Sequence, residues 1–494
     1  MISPPAQRSR TLFFIALAIL GVLAPIEASA ESSERTDRSL FGSISGGAAF
    51  TCAVTSTSEV KCWGLNHVGQ LGTGDQTDSF VPMQVQGLPG PIESVIATTY
   101  SGCALISGGG VKCWGSNNRG QLGDGSTISS NLPVNVQGLA SGVKALAGSE
   151  FSNCALLHNG QVKCWGEMYI DFNNDGIDDS SNTPVTIPGL PQDIVAITAG
   201  GGKFYCVVST STGVWCWGAN SQGQLADGTT IDRLTPVQAS NLNSTIKSIS
   251  SGAGHSCVVL QNGDVKCWGS NLNGKLGDGT RNNSSTPVSV VGLGEPAIAV
   301  SASFHHTCAL LASGTVRCWG WNASGQLGDG TTIDSDVPVS VQGLTSTVEA
   351  LTTGSRNSCV LLRNSELKCW GDNSYGQLGD GTDTNRSLPV SVLNFVGATT
   401  TSTTSTTTSS TTTTQAPVAT TQVPVATTQV PVATTQVPTT TTITTTTTVT
   451  TFQASEDKQE ILPTAGREFD DLAIWALTLM AAGLIILCNR RLID

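Results

Sequence analysis

The sequence predicts an all-β fold, a seven-bladed β-propeller of four-stranded blades, and three observations predict it. Cysteines recur at Cys52, Cys103, Cys154, Cys206, Cys257, Cys308 and Cys359, a period of 51 residues that slips once to 52; each is followed ten residues later by Cys62, Cys113, Cys164, Cys216, Cys267, Cys318 or Cys369. Every second cysteine opens Cys-Trp-Gly, then comes a Gly-Gln-Leu-Gly-Asp-Gly-Thr loop, clearest at 325–331 and 376–382, and a Pro-Val-x-Val run such as 338–341. Each unit also offers four short apolar runs split by turn signals, in the fifth at 236–239, 246–249, 257–260 and 265–268. Seven tandem units of this length stack as a solenoid or close as a ring, and four strands per unit match a propeller blade.

Within a unit, Gln261-Asn262-Gly263 marks a tight hairpin between the last two runs, Gly supplying the positive φ. A run at 41–44 precedes the first cysteine, and a Pro-Val-x-Val run at 389–392 follows the last copy. The C-terminal strand is therefore expected to complete the N-terminal blade, which leaves neither end with an unpaired edge. The 55 glycines and only 12% charged residues suit a turn-rich all-β chain. Lys and Arg total 24 against 36 Asp and Glu, a net charge of -12, so there is no basic field and nucleic acid is not an expected partner.

Residues 1–30 have the pattern of a signal peptide: Arg8 and Arg10, an apolar run at 12–23, and Ala28-Ser29-Ala30 as the cleavage site. The alternative is an uncleaved anchor, for which the run is short of the roughly 20 residues of a spanning helix. Residues 31–397 form the propeller, exported on either reading. Residues 398–460 are mostly Thr, Val, Pro, Gln and Ala, with a seven-residue spacing at Gln415, Gln422, Gln429 and Gln436. Such a tract buries too little apolar surface to order itself and reads as an extended disordered stalk, with O-glycosylation left open.

Residues 461–494 hold a transmembrane segment at 472–488 and a basic tail, Arg490 and Arg491, expected on the cytoplasmic side of the membrane. Just before it, Leu462, Pro463, Thr464, Ala465 and Gly466 make the region resemble a cell-wall sorting signal of the LPxTG type, which implies cleavage by a sortase and attachment to the wall. Ala465 stands where the motif has its Thr, whose carbonyl a sortase attacks, so a retained membrane anchor stands beside it. Both readings place the propeller at the cell surface.

The Gly-x-x-His-Ser-Cys pattern at 252–257, the Cys-Ala-Leu strands at Cys103, Cys154 and Cys308, the Trp-Gly pairs and the Gly-Gln-Leu-Gly loops carry a family resemblance. From about residue 40 to 396 the chain resembles the regulator of chromosome condensation repeat proteins, which implies a seven-bladed propeller. The family's eukaryotic founder acts on a small GTPase and chromatin, partners an exported acidic protein does not meet. A secreted bacterial member inhibits a β-lactamase by gripping it with one propeller face.

Cysteines ten apart across a short hairpin lie opposite one another, and export supplies oxidising conditions, which favours seven intra-blade disulfides. Each would contribute about 2 to 3 kcal/mol by loop closure. Buried free thiols are the alternative. No copy has close Cys-x-x-Cys spacing for zinc, and Cys488 has no mate. Asp124, Asp227, Asp278, Asp329 and Asp380 recur in Asp-Gly loops and read as turn formers, and the repeated tryptophans read as packing between blades.

The third copy breaks the pattern at 171–179. Asp171, Asn173, Asp175 and Asp179, with the Ile177 carbonyl, resemble the calcium loops of EF-hands, dockerins and thrombospondin type 3 repeats, and imply a structural calcium ion. Asn182 stands where an EF-hand has its bidentate Glu, and an acidic surface loop is the alternative. His305 and His306 also interrupt the pattern, with His255 aligned to one of them. No nucleophile elbow, zinc helix or phosphate loop is present, so no catalytic residue is assigned. The expected function is a cell-surface binding module for an extracellular protein or glycan, not an enzyme. The rivals are a hydrolase or lyase with its site in the central channel, and a passive structural wall protein.

Overall fold

A computed structural model describes residues 44–171, 179–242 and 245–395. Every described residue lies within the unit Met1–Ser405. The expected signal peptide, the interior of the expected calcium loop, the expected stalk and the expected sorting signal with its transmembrane segment lie outside the described residues.

Seven four-stranded antiparallel sheets follow one another along the chain: blade 1 (44–84), blade 2 (92–135), blade 3 (143–186), blade 4 (194–238), blade 5 (246–289), blade 6 (297–340) and blade 7 (348–391). Each is a simple meander. In blade 5 the strands are Ile246–Ser251, His255–Leu260, Val265–Gly269 and Ser284–Ser289. The hairpin between the second and third forms where Leu260 N donates to the Asp264 carbonyl, Gly263 takes φ 89° and Asn262 Oδ1 accepts from Asp264 N. Its register sets Cys257 opposite Cys267, and the same pairing recurs in all seven blades.

One expectation is corrected. The run at 389–392 does not complete the first blade: its strand, Arg386–Ser391, pairs with Leu367–Gly371 inside blade 7, with Val390 opposite Cys369. Likewise Pro236 belongs to the last strand of blade 4, Arg233–Gln238, not to blade 5. Periodicity fixes the length of a unit but not its starting point; the starting point is set by the Pro-Val-x-Val strand pairing back onto the Cys-Trp-Gly strand it follows.

The ring closes without strand exchange. Trp63 Nε1 in blade 1 donates to the Gln377 carbonyl in the loop before the last strand of blade 7 at 2.9 Å, Gly381 N donates to the Phe80 carbonyl, and Ser355 N to the Gly47 carbonyl. The same tryptophan link recurs around the ring, for example Trp114 to Gln70, Trp165 to Gln121 and Trp370 to Gln326. All seven Cys-Trp-Gly tryptophans are fully buried. Each hydrophobic cluster spans two blades, as with Leu276 and Trp319, or Leu378 and Trp63. The core is thus seven wedges between blades, and each Gly-Gln-Leu-Gly loop serves the next blade rather than its own.

The loop is held by its Asn and Asp. In blade 6, Asn322 is fully buried, its Oδ1 accepts from Leu327 N and its Nδ2 donates to Asp329 Oδ1, while Asp329 accepts from Thr331 N. The Asp-Gly positions are turn formers, as expected. Gly325 takes φ 82°, and a β-carbon there would meet the Ser387 backbone of blade 7 at 2.5 Å, so only Gly allows the loop to lie on the next blade.

The outermost strand of every blade carries proline at one position: Pro82, Pro133, Pro184, Pro236, Pro287, Pro338 and Pro389. Facing cysteines lie only 4.0–4.1 Å apart at Cα, the spacing of a non-hydrogen-bonded pair, so the third-strand cysteine turns its backbone groups toward the outer strand. The residue opposite, such as Val237, turns its amide inward; the preceding proline sits where an amide would face solvent.

Candidate functional site

The first strand of each blade runs toward one end of the ring, and the second returns from it. The turns between them, together with the loops after the third strands, therefore gather at that end. The channel beneath them is narrow, a cavity of about 90 Å³ lined by small residues of every blade, among them Gly46, Ala97, Ser149, Ala199, Ser251, Ala302 and Thr353. Glu150 is the one charged residue on this lining. Phe304 reaches across the mouth from blade 6: a β-carbon on Gly201 of blade 4 would lie 2.8 Å from its ring.

Eight described aromatic residues are not buried, and six of them stand at this end: Tyr100, Phe151, Tyr169, Phe304, Trp321 and Tyr375. The other two are Phe80 on an outer strand and Trp215 near a hairpin at the far end. Around blades 1 to 4, His67 meets Tyr100 edge-on at 6.3 Å, and Tyr100 stacks on Phe151 at 6.1 Å. Arg119 lies over Phe151 at 6.0 Å and pairs with Glu167 at 3.2 Å, and Lys203 pairs with the same carboxylate. Around blades 6 and 7, His305 lies against Trp321 at 5.1 Å and Arg356 over Trp321 at 5.3 Å.

Burial shapes the charge states here. It raises the Glu150 carboxyl above its ordinary value, with Lys203 opposing and Glu167 adding to the rise. Burial, then Glu150, raises Tyr100. Burial, then Lys275 and Arg356, lowers His305 to about 4, so its ring is neutral at pH 7. Exposed aromatic faces with a few polar groups among them have the chemistry enriched at protein interfaces.

The residues expected from sequence fall elsewhere. The sulfurs of all seven cysteine pairs lie 2.06–2.13 Å apart, each pair buried inside its blade. Of the calcium loop, Asp171 N donates to the Leu234 carbonyl and Asp179 N to the Ile170 carbonyl; Asn173, Asp175 and Ile177 lie outside the described residues. Leu462, Pro463, Thr464, Ala465 and Gly466 also lie outside them. Among the described residues no cluster of three or more His, Cys, Asp or Glu is suited to a metal.

His306 is the histidine aligned with His255. Both are fully buried and join blades, His255 Nε2 to Thr307 Oγ1 at 2.8 Å and His306 Nε2 to Ser358 Oγ at 2.7 Å. His305, one residue earlier, is the one at the mouth. Its column, three residues before the first cysteine of each pair, holds Ala49, Tyr100, Phe151, Lys203, Gly254, His305 and Arg356, seven different residues against an invariant cysteine. That variability was the available signal.

Blade 3 departs from its neighbours. With no Gly-Gln-Leu-Gly loop between its third and fourth strands, Met168 and Ile170 supply the apolar contact to blade 4, and Trp217 Nε1 has no acceptor among the described residues. Tyr205 stacks on Trp217 at 5.3 Å and its hydroxyl meets Ser152 Oγ of blade 3.

The regulator of chromosome condensation (RCC1) repeat matches residues 59–105, 109–156, 213–259, 262–310, 313–361 and 367–405, and a second form of it matches 43–70, 246–275, 297–326 and 348–377. The chain is 30% identical to the ultraviolet-B receptor UVR8 of Arabidopsis thaliana over 61% of its length and 70% of the receptor's. It is also 30% identical to the human E3 ubiquitin-protein ligase HERC2 over 67% of its length, which is 7% of the ligase. Among solved structures, Prp20p from Saccharomyces cerevisiae, described with its binding to Gsp1p and histones, superposes with a TM-score of 0.60 at 21% identity, over 69% of this chain and 87% of that one. The repeats matched over more than half of the sequence, laid out on this ring, make the protein a member of the RCC1 repeat family.

Proposed function

We propose that the protein is a cell-surface binding module that grips an extracellular protein or glycan with the aromatic mouth of its propeller, and that it is not an enzyme. The observation that carries this reading is the gathering, among the described residues, of six of eight unburied aromatic side chains at one end of the ring. Rigid aromatic side chains give large contact area at low entropic cost and dominate binding hot spots. RCC1-repeat propellers serve as interaction or regulatory modules, and the relative Prp20p is described with protein partners. The signal peptide pattern, stalk and sorting-signal resemblance support display outside the cell, held by membrane or wall. A calcium ion in the 171–179 loop would stiffen blade 3, and a sortase would be the processing partner.

The test captures envelope and culture-medium components on the fragment 31–397, with and without chelator. A component retained by the natural sequence and by Lys144→Ala at the far end, but lost with Tyr100→Ala/Phe151→Ala, supports the reading. Equal retention by all three, or capture of nothing across a wide panel, refutes it.

A further inference from the structure

The mouth is electrically lopsided. On the side of blades 2 to 4, Arg119 and Lys203 share the Glu167 carboxylate. On the side of blades 5 to 7, no carboxylate among the described residues lies within ion-pair distance of Arg356, although the chain carries 12 more acids than bases. Arg356 lies instead over the face of Trp321, where its planar fork is held in place and partly stripped of water. Lys275 adds a second cation at the same corner. It stands where the other regular loops have Gln70, Gln121, Gln224, Gln326 and Gln377, is only 6% exposed, and donates to the Phe304 carbonyl at 3.1 Å. A neutral His305 lies between them, able to donate or accept a hydrogen bond without adding charge.

We propose that this corner, centred on Arg356 and Trp321, is an anion subsite that seats a carboxylate side chain of a protein partner. The inference rests on the binding-face reading above and names the partner's chemistry. A guanidinium fixed on an aromatic ring presents two parallel N–H groups to a planar carboxylate and loses little freedom in doing so. A carboxylate fits better than phosphate because the strongly acidic chain repels polyanions at a distance. One acidic residue on a partner of net positive charge meets the cations at short range.

The experiment pans a random peptide library against the intact chain. Enriched peptides are then measured on the natural sequence, Arg356→Gln, Arg356→Lys and Tyr100→Ala/Phe151→Ala. The expected peptides contain Asp or Glu, lose about tenfold or more of their affinity with Arg356→Gln, and lose less with Arg356→Lys, which keeps the charge but not the fork. If Arg356→Gln fails to fold, exchanging the peptide's Glu for Gln reads the same contact from the other side. Peptides without an acidic residue, bound equally well by Arg356→Gln but lost with Tyr100→Ala/Phe151→Ala, overturn the anion subsite and leave the binding face intact. Peptides indifferent to every substitution, or no enrichment, overturn both. Saturable binding of inorganic phosphate that requires Arg356, with no acidic preference among peptides, overturns the carboxylate in favour of phosphate.

Discussion

Trp63 Nε1 and the Gln377 carbonyl oxygen, 314 residues apart in sequence, meet at 2.9 Å and join the last blade to the first. Because no strand is exchanged between the two ends, this contact and the wedge around it carry the closure. Trp63→Ala should destabilise the propeller by about 3–5 kcal/mol, and Trp63→Phe by about 1 kcal/mol through the lost hydrogen bond. Denaturant unfolding measures both; a neutral Trp63→Ala would mean that the ring does not depend on this seam.

The interface between blades 3 and 4 gives a sharper comparison. Trp217 Nε1 has no acceptor among the described residues, whereas Trp268 Nε1 donates to the Gln224 carbonyl at 2.9 Å. Trp217→Phe should cost less than Trp268→Phe by about 1 kcal/mol, since only the latter strands a buried carbonyl. Equal losses in paired melts would show that Trp217 is satisfied in solution.

Each blade's sulfurs are fully buried. Cys257→Ser/Cys267→Ser should lower stability by about 2–3 kcal/mol. Thiol titration should find none of these fourteen cysteines reactive in the native protein, and all of them after denaturation in reductant. Native reactivity at any of these pairs would contradict the closed, oxidised blade.

Acid should loosen the seams between blades 5, 6 and 7. Burial holds His255 well below its ordinary value and His306 down to about 3, so both are neutral when folded and regain a value near 6.5 when unfolded. The unfolded chain binds more protons below pH 6.5. Stability is therefore complete above that pH and declines as pH falls toward about 3, by up to about 1.4 kcal/mol per pH unit for each histidine. His306→Asn, which copies Asn357 of the next blade, should flatten part of that slope in melts between pH 4 and 7.

If the 171–179 loop binds calcium as proposed, chelator should lower the melting temperature of the natural sequence and leave Asp175→Ala unmoved. At a calcium concentration a hundredfold above the dissociation constant, the shift corresponds to about 2.7 kcal/mol. Identical melts with and without calcium would leave an acidic surface loop.

Much of the architecture was legible because it is written seven times. Cys257 opposite Cys267 follows from ten-residue spacing across an Asn-Gly turn, and the buried tryptophans follow from their recurrence. What a repeat cannot reveal is where it begins. For the Pro389 strand either frame satisfies the same periodicity, and only the pairing of Val390 with Cys369 decides between them. The mouth was harder to read for the opposite reason. Tyr100, Phe151, His305 and Arg356 share one column but no residue type, and they become a surface only when the ring brings blades far apart in sequence side by side.

The prolines of the outer strands bear on how many copies can coexist. A ring with seven outward sheet margins offers seven templates on which a neighbour could add a strand, and dense tethering would multiply such encounters. Pro82 and its six counterparts place a nitrogen without hydrogen at the same point of every margin, so a strand laid alongside finds a gap in its ladder wherever it docks. On that ground crowding should favour separate rings over rings joined edge to edge.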